Sequence, residues 1–339
     1  MNITPFNGLK CLVHAERIKK ILKGVLPSPV CAQIDLCNIC NHNCLWCYYR
    51  FFRHRAPVMM PTTRSLSLID ELASFGVKSA LFTGGGEPLM HPDFCKIIRH
   101  AHSNGLKVGL STNGALLDED KIDAILECCT YIRISIDAGC DNIHRLIHNG
   151  EAADYETIRL WAKTINIYKR PSLTTGYGFL VCDQNVMDIE EAVDNAVQAR
   201  FDYIQFRPVI GEIKLTEIFC SVVNEAIARM RTKYPDFKIL GGIGQASGKK
   251  KFETCRATPL ITIIGSDLKI YLCCQFRGDL NWSIGDITSQ NFKNFWRSDK
   301  HREIIDKIDG KRCPVCKYEK YNAVIEHVFV QNDMHKEFL

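Results

Sequence analysis

The chain has 339 residues, 46% of them apolar and 24% charged, with 43 Lys+Arg against 38 Asp+Glu for a net charge of +5. This is ordinary globular composition; it excludes a disordered or fibrous chain and allows one large domain plus a smaller one. The one tight basic run, Lys249-Lys250-Lys251, reads as a solvated loop, no apolar stretch reaches about 18 residues, and the N-terminus lacks the apolar region of a signal peptide. No membrane or nucleic-acid partner is therefore expected, and a cytoplasmic location is. The 17 cysteines should then meet a reducing environment, where clustered thiols signal metal ligation or redox chemistry.

Residues 1–30 carry no informative pattern and are set apart as an N-terminal extension. From residue 31 a rhythm begins. Strand-like runs fall at Ala32–Leu36, Ser79–Thr83, Lys107–Ser111, Tyr131–Ile136, Thr175–Val181 and Tyr203–Phe206. Amphipathic stretches lie between them, among them SLSLIDELASFG with Gly76 as its stop and PDFCKIIRHAHSNG with Gly105 just past its end. Six strand–helix units predict an α/β fold with a parallel sheet and outer helices: a partial (β/α)6 TIM-like barrel over residues 31–212. After Pro208 the rhythm is expected to stop. A linking helix (TEIFCSVVNEAIARMRTKY) and a Gly/Ser/Lys loop fill 213–250. Residues 251–339 predict a small C-terminal α+β domain, with a hairpin in LITIIGSDLKIYLC turning at Gly265-Ser266-Asp267 and a helix in NFKNFWRSDKHREIIDKI.

Just after the first strand comes CNICNHNCLWC. With Cys37 it offers four thiolates, a set that suits structural Zn²⁺. Without it, Cys40, Cys44 and Cys47 have the spacing C-x3-C-x2-C. Three thiolates on a [4Fe–4S] cluster leave one iron free to hold a chelating cofactor. Trp46 is placed to cover the cluster or pack against a cofactor base. Three further polar motifs follow at successive strand ends, where a barrel gathers its functional groups. Gly84-Gly85-Gly86-Glu87-Pro88 offers close backbone approach and a carboxylate for an ammonium group. Ser111-Thr112-Asn113-Gly114 offers small polar groups. Ser135 and Asp137 share one face of the fourth strand.

C-x3-C-x-aromatic-C, followed by GGEP, STNG and S-x-D at consecutive strand ends, resembles the radical S-adenosylmethionine (radical SAM) family over about residues 30–320. The resemblance implies that Cys40, Cys44 and Cys47 hold a [4Fe–4S] cluster whose open iron binds SAM. It also implies that SAM is contacted by Trp46, Gly85, Gly86, Glu87, Thr112, Asn113, Ser135 and Asp137. Many relatives place an arginine about a dozen residues beyond the serine to hold the SAM carboxylate; here Arg145 is the candidate, with His148 close by.

The C-terminal segment carries Cys255, Cys273, Cys274 and the C-x2-C pair Cys313 and Cys316. Four such thiolates suit Zn²⁺ or a [4Fe–4S] cluster, and spacing does not decide between them. The segment resembles a twitch domain, the shortened relative of the SPASM domain. This implies one auxiliary [4Fe–4S] cluster on Cys255, Cys273, Cys313 and Cys316, with Cys274 an alternate ligand or a bystander. Such a cluster can take an electron from a substrate radical. The resulting expectation is a radical SAM oxidoreductase that oxidises a sugar- or cyclitol-type carbinol in a small polar substrate, served by a flavodoxin- or ferredoxin-type electron donor. Arg207, in FRPV at the end of the sixth strand, is the candidate substrate-binding or proton-handling cation. Cys182, at the end of the fifth, is the candidate hydrogen donor if the reaction is instead an epimerisation or decarboxylation. Peptide maturation is a further alternative. A zinc scaffold is the non-enzyme reading, but it leaves GGGEP, STNG and SID without a role.

Overall fold

The computed structural model describes residues 7–53, 56–151, 154–209, 215–242, 252–310, 313 and 316–330. Seven strands run parallel in chain order: β1 (Cys31–Asp35), β2 (Ser79–Thr83), β3 (Lys107–Thr112), β4 (Cys129–Ser135), β5 (Thr174–Val181), β6 (Tyr203–Pro208) and β7 (Lys238–Gly241). All six predicted strands lie within a residue or two of their expected bounds. The parallel, helix-covered sheet is the partial barrel that the rhythm predicts. Helix α1 (Ala15–Leu22) precedes β1, and α2 (Arg50–Arg53) and α3 (Thr62–Phe75) lie between β1 and β2. The later crossovers are α4 (Phe94–Ser103), α5 (Glu119–Cys128), α6 (Asp141–His148) with α7 (Asp154–Tyr168), α8 (Ile189–Gln198) and α9 (Glu217–Lys233).

Alternation along each strand sorts the side chains between two faces. Ala32, Ile34, Ala80, Phe82, Ile132, Ile134, Ile204 and Phe206 are all at most 1% exposed and join Leu68, Ile69, Ile97 and Ile98 of the helices in one core. The other set, including Gln33, Arg133, Ser135, Gln205 and Arg207, is polar and only half-buried. It forms the concave face. Helix α3 stops where Gly76 adopts φ +94°, and α5 starts where Asp118 accepts the Lys121 N–H at 2.9 Å.

Two features depart from the expected pattern. The rhythm continues for one unit past Pro208, because α9 returns the chain to β7 beside β6. KILG is too short to declare itself as a strand. In addition, the predicted hairpin, β8 (Ile261–Ile264) and β9 (Lys269–Tyr271), does not stand apart. β8 pairs parallel to β1, and β10 (Ser283–Asp286) pairs with β9, giving one ten-stranded sheet ordered β10-β9-β8-β1-β2-β3-β4-β5-β6-β7. The helix expected in NFKNFWRSDKHREIIDKI is split into α10 (Phe292–Trp296) and α11 (Asp299–Asp306), because Ser298 caps the second by accepting the His301 N–H at 3.2 Å. Helix α12 (Glu319–Ile325) packs Ile325 against Cys11 and Ile18 of the N-terminal extension. No helix among the described residues is long and apolar enough to cross a membrane. The loop expected at 241–251 lies mostly outside the described residues.

Candidate active site

The cysteine loop leaves β1 at the carboxyl end of the sheet and is pinned on two sides. Asn43 and Leu45 donate their N–H groups to the carbonyls of His148 and Ile147, and Glu87 donates its N–H to Ile39 O at 2.8 Å. His42, buried, meets Asp154 Oδ2 at 2.8 Å. Cys40, Cys44, Trp46 and Cys47 are half-buried on this loop. Cys37 is different. It is 1% exposed, its Sγ faces the Ile39 and Glu87 carbonyls at 3.4 and 3.2 Å, and burial pushes its thiol up to about 12. A thiol held protonated against carbonyls is a poor metal ligand. Cys37 therefore stands outside the set, which leaves three thiols, the number a cluster with one open iron needs. Among the described residues, no three cysteines gather within 4.8 Å of one another. A lone tetrahedral Zn²⁺ with bonds of about 2.3 Å needs its sulfurs closer than that.

The glycine loop after β2 is packed against the cysteine loop. A Cβ at Gly86 would meet Ile39 O at 2.2 Å, and one at Gly85 would meet the Phe52 ring at 2.3 Å. These glycines admit neighbouring chain on the side where a Cβ would project. Glu87 is 3% exposed and accepts from Thr112 Oγ1 (2.6 Å), Asn113 N (2.8 Å) and Leu89 N (3.1 Å). Burial raises its carboxyl to about 7 against those donors. Asn113 Nδ2 donates to Asn41 Oδ1 at 2.8 Å and points toward Cys40 Sγ at 3.9 Å. Thr112, Asn113 and Glu87 thus form one network that reaches the cysteine loop. Ser135 is half-buried at the end of β4.

Asp137 lies just beyond, at φ +57°. Its carboxylate accepts the Leu180 N–H at 2.6 Å and lies 3.4 Å from His148 Nε2. Burial raises it to about 7, opposed by that N–H and by Arg207 and Arg133. It caps no helix, since Cys140 occupies the N-cap of α6. Arg145, the candidate for the SAM carboxylate, lies on the exposed face of α6, 4.0 Å from Asp141. His148, one turn on, faces inward: its Nδ1 is 3.1 Å from Cys44 Sγ, and its ring meets Trp46 edge-on at 6.3 Å. Cys182 is fully buried just past β5, with its backbone N–H bonded to Asn185 Oδ1 at 2.9 Å. Burial raises its thiol. Arg207 lies on the concave face of β6.

In the C-terminal segment Cys255, Cys273, Cys313 and Cys316 line one cavity with Phe252, Leu272, Phe276, Ile308 and Tyr318. Four thiols around an apolar cavity fit an auxiliary iron–sulfur cluster. Cys274 is not among the lining residues. It sits toward Tyr318, Lys317 and Arg277, and the Cys273 thiol and those cations push it down to about 5.

Sequence reasoning missed the group that joins the two halves. Asp35, fully buried at the end of β1, lies 3.1 Å from Arg277 Nε and accepts the Gly85 N–H at 3.2 Å. Arg277 also donates to Gln33 Oε1 at 2.8 Å and lies over the Tyr49 ring at 5.2 Å. Gln33 in turn donates to Tyr318 Oη at 3.0 Å. An acidic residue facing inward one step before the cysteine motif was the available signal. Its partner lies 242 positions away.

Comparison with known proteins agrees with this geometry. Residues 34–196 match the Radical SAM superfamily, and residues 255–318 match the SPASM iron–sulfur cluster-binding domain. The chain is 28% identical over 168 residues to the Fe-coproporphyrin III synthase of Methanosarcina barkeri, a match covering 49% of this chain and 41% of that protein. It is 25% identical over 169 residues to an S-adenosylmethionine-dependent nucleotide dehydratase of Selenomonas ruminantium, covering 46% of this chain and 60% of that one. These matches span less than two thirds of either relative. A broader match, 23% identical over 308 residues, covers 86% of this chain and 76% of the mycofactocin maturase MftC of Mycobacterium tuberculosis. In fold, the chain is similar to Streptococcus suis SuiB bound to S-adenosylmethionine, with TM-score 0.68, 17% identity and coverage of 91% of this chain and 75% of that one.

Proposed function

We propose, on the premise that the chain is a radical SAM enzyme with a C-terminal SPASM-like iron–sulfur domain, that it oxidises a carbinol of a small polar substrate held on the concave face of the sheet. When bound, the cofactors supply a 5′-deoxyadenosyl radical from SAM at the first cluster and an electron sink at the second. Cys40, Cys44 and Cys47 would hold the first, and Cys255, Cys273, Cys313 and Cys316 the second. Glu87, Thr112, Asn113, Ser135, Asp137 and the backbone of Gly85 and Gly86 would orient SAM. Overall the substrate loses a hydrogen atom, a proton and an electron, and a carbinol carbon becomes a ketone. A flavodoxin- or ferredoxin-type protein would supply the priming electron.

The observation that carries this reading is the polarity of the concave face. Arg133, Arg207, Gln205 and the hydrogen-bonded pair Tyr131 and Tyr203 converge there. An apolar substrate calls for aliphatic walls, whereas these groups suit one rich in hydroxyls or charge. A second reading, modification of a peptide, is favoured by the likeness in fold to SuiB, which is also known bound to its precursor peptide SuiA.

One experiment separates them. The anaerobic enzyme is given SAM and reductant with a panel of polyols or of short peptides, and 5′-deoxyadenosine is measured above the substrate-free background. A polyol should stimulate it and emerge about two mass units lighter. A Cys313→Ala, Cys316→Ala variant should still release 5′-deoxyadenosine but form little oxidised product. Stimulation by peptides alone, or normal product from the variant, would overturn the proposal.

A further inference from the structure

Among the described residues, the concave face gathers four cations, Arg133, Arg207, Arg277 and Lys317, around two carboxyl groups, Asp35 and Asp137. On β5 the inward positions Gly176 and Gly178 leave room for their neighbours. A Cβ at Gly176 would sit 2.1 Å from Tyr203 Oη, and one at Gly178 would sit 3.4 Å from Arg133 Cδ. Side chains from β4 and β6 therefore lean toward each other across β5, and the Tyr203 hydroxyl reaches the Tyr131 hydroxyl at 3.2 Å. Over this floor stand two guanidiniums. Arg133 pairs in register with Gly176, and Arg207 with Leu180.

Their partners are few. Arg133 Nη2 donates to Ser111 Oγ at 3.3 Å, the guanidinium also bonds the Tyr131 hydroxyl, and its Nε is buried without a partner. Arg207 Nε is also buried and unpartnered, and no hydrogen bond or ion pair links Arg207 to another described residue; Gln205 Oε1, between them on β6, is likewise unsatisfied. Among the described residues, two carboxyl groups face this region. Asp35 is engaged by Arg277, and Asp137 by the Leu180 N–H and His148. Lys317, reached by solvent at the edge of the C-terminal domain, adds to the field of Arg207, Arg277 and Arg133. Repulsion between Arg133 and Arg207 adds to burial in drawing Arg207 down to about 10. Asp137 is the one described carboxyl whose charge acts on both Arg133 and Arg207, and it is already bonded elsewhere, so this excess of cations is suited to an anion brought by a ligand.

We infer that Arg133 and Arg207, with the hydroxyls of Tyr131 and Tyr203, form a phosphate subsite, and that the substrate is a phosphorylated small molecule. Two guanidinium forks and the Tyr131 hydroxyl, which Tyr203 orients by donating to it, offer more donors than the two oxygens of one carboxylate can accept. The three terminal oxygens of a phosphate monoester and its double charge match them better. Gln205 Oε1 is left to accept a substrate hydroxyl. This rests on the reading that the concave face is the substrate site, and it adds the substrate's chemical class.

The test is binding to the reconstituted holoenzyme, by calorimetric titration with inorganic phosphate, pyrophosphate, malonate and SAM. Phosphate and pyrophosphate should bind and raise Tm, with malonate at least tenfold weaker. Arg133→Gln and Arg207→Gln should each weaken pyrophosphate about tenfold or more, since each removes charge-assisted hydrogen bonds. Arg207→Lys should fall between, and SAM affinity should stay within about twofold. Removing one of two mutually repelling cations should leave the Tm of the ligand-free variant unchanged or raised. Pyrophosphate binding that ignores both arginines, malonate binding as tightly as phosphate, a matching loss of SAM affinity, or an Arg207→Gln variant that is unstable would each overturn the inference. The last would mean that Arg207 already has a partner. The titration uses no reductant and no turnover, so its failure leaves the oxidation to its own product assay, and failure of that assay leaves the anion site measurable.

Discussion

Arg277→Met removes the cation of an ion pair that is buried on both sides, and a large loss of stability is expected. Arg277 and Asp35 are 3% and 0% exposed and 3.1 Å apart. The methionine fills the space of the stem but leaves Asp35 buried with no cation and Gln33 Oε1 with no donor. Breaking a buried pair from one side costs roughly 3–5 kcal/mol. With an unfolding entropy of about 2.1 cal/mol/K per residue, that is a fall in Tm of about 4–7 °C for a chain of this length. The cost depends on pH. Burial already raises Asp35 to about 7 although Arg277 opposes it, and without Arg277 the carboxyl rises further. At pH 5.5 Asp35 is neutral in both proteins, so the penalty should shrink by about 1 kcal/mol relative to pH 7.5, the most that a carboxyl near 7 in the wild type supplies over that interval. The assay is thermal unfolding at pH 7.5 and 5.5 for Arg277→Met, Asp35→Asn and the double variant. The double variant should be more stable than Arg277→Met alone at pH 7.5. An Arg277→Met penalty equal at both pH values, or one that Asp35→Asn does not relieve, would refute the reasoning.

Glu87 gives a second pH signature. Its carboxyl, near 4.5 in the unfolded chain, is raised to about 7 when folded. Its contribution to stability is therefore full below about pH 4.5 and is lost as pH rises through 7. Relative to wild type, Glu87→Gln should gain stability between pH 4.5 and 7.5, by up to about 3 kcal/mol; a pH-independent difference in unfolding free energy would contradict this. Cys37→Ala should retain the wild-type iron content and the ability to cleave SAM, because its thiol is bonded to carbonyls instead of facing the other cysteines. Loss of a metal from that variant would restore the four-cysteine zinc reading.

The candidate motifs could be read from sequence because each lies within a few residues of chain. C-x3-C-x2-C, GGGEP and S-x-D are local patterns, and strand alternation placed them at the same end of the sheet. The position of Arg207 near the end of β6 could be read in the same way. What the sequence hid depends on long-range pairing. That β8 adds to β1 and makes the C-terminal domain continuous with the barrel is a contact across more than 220 residues. The Asp35–Arg277 pair and the convergence of Arg133 with Arg207 across a glycine floor have no local signature. Arg145 and His148 stand one turn apart on α6, three residues from each other, so only the rotation of the helix decides which side chain meets Cys44 and which meets solvent.

The most direct test of the central claim is metal content. Protein purified and reconstituted without oxygen should be brown and carry about eight irons per chain, as two four-iron clusters. Replacing Cys40, Cys44 and Cys47 with Ala should remove about four of those irons and all SAM cleavage, leaving the C-terminal cluster behind. A colourless protein with about two zinc ions per chain, or undiminished 5′-deoxyadenosine from the triple variant, would contradict the account.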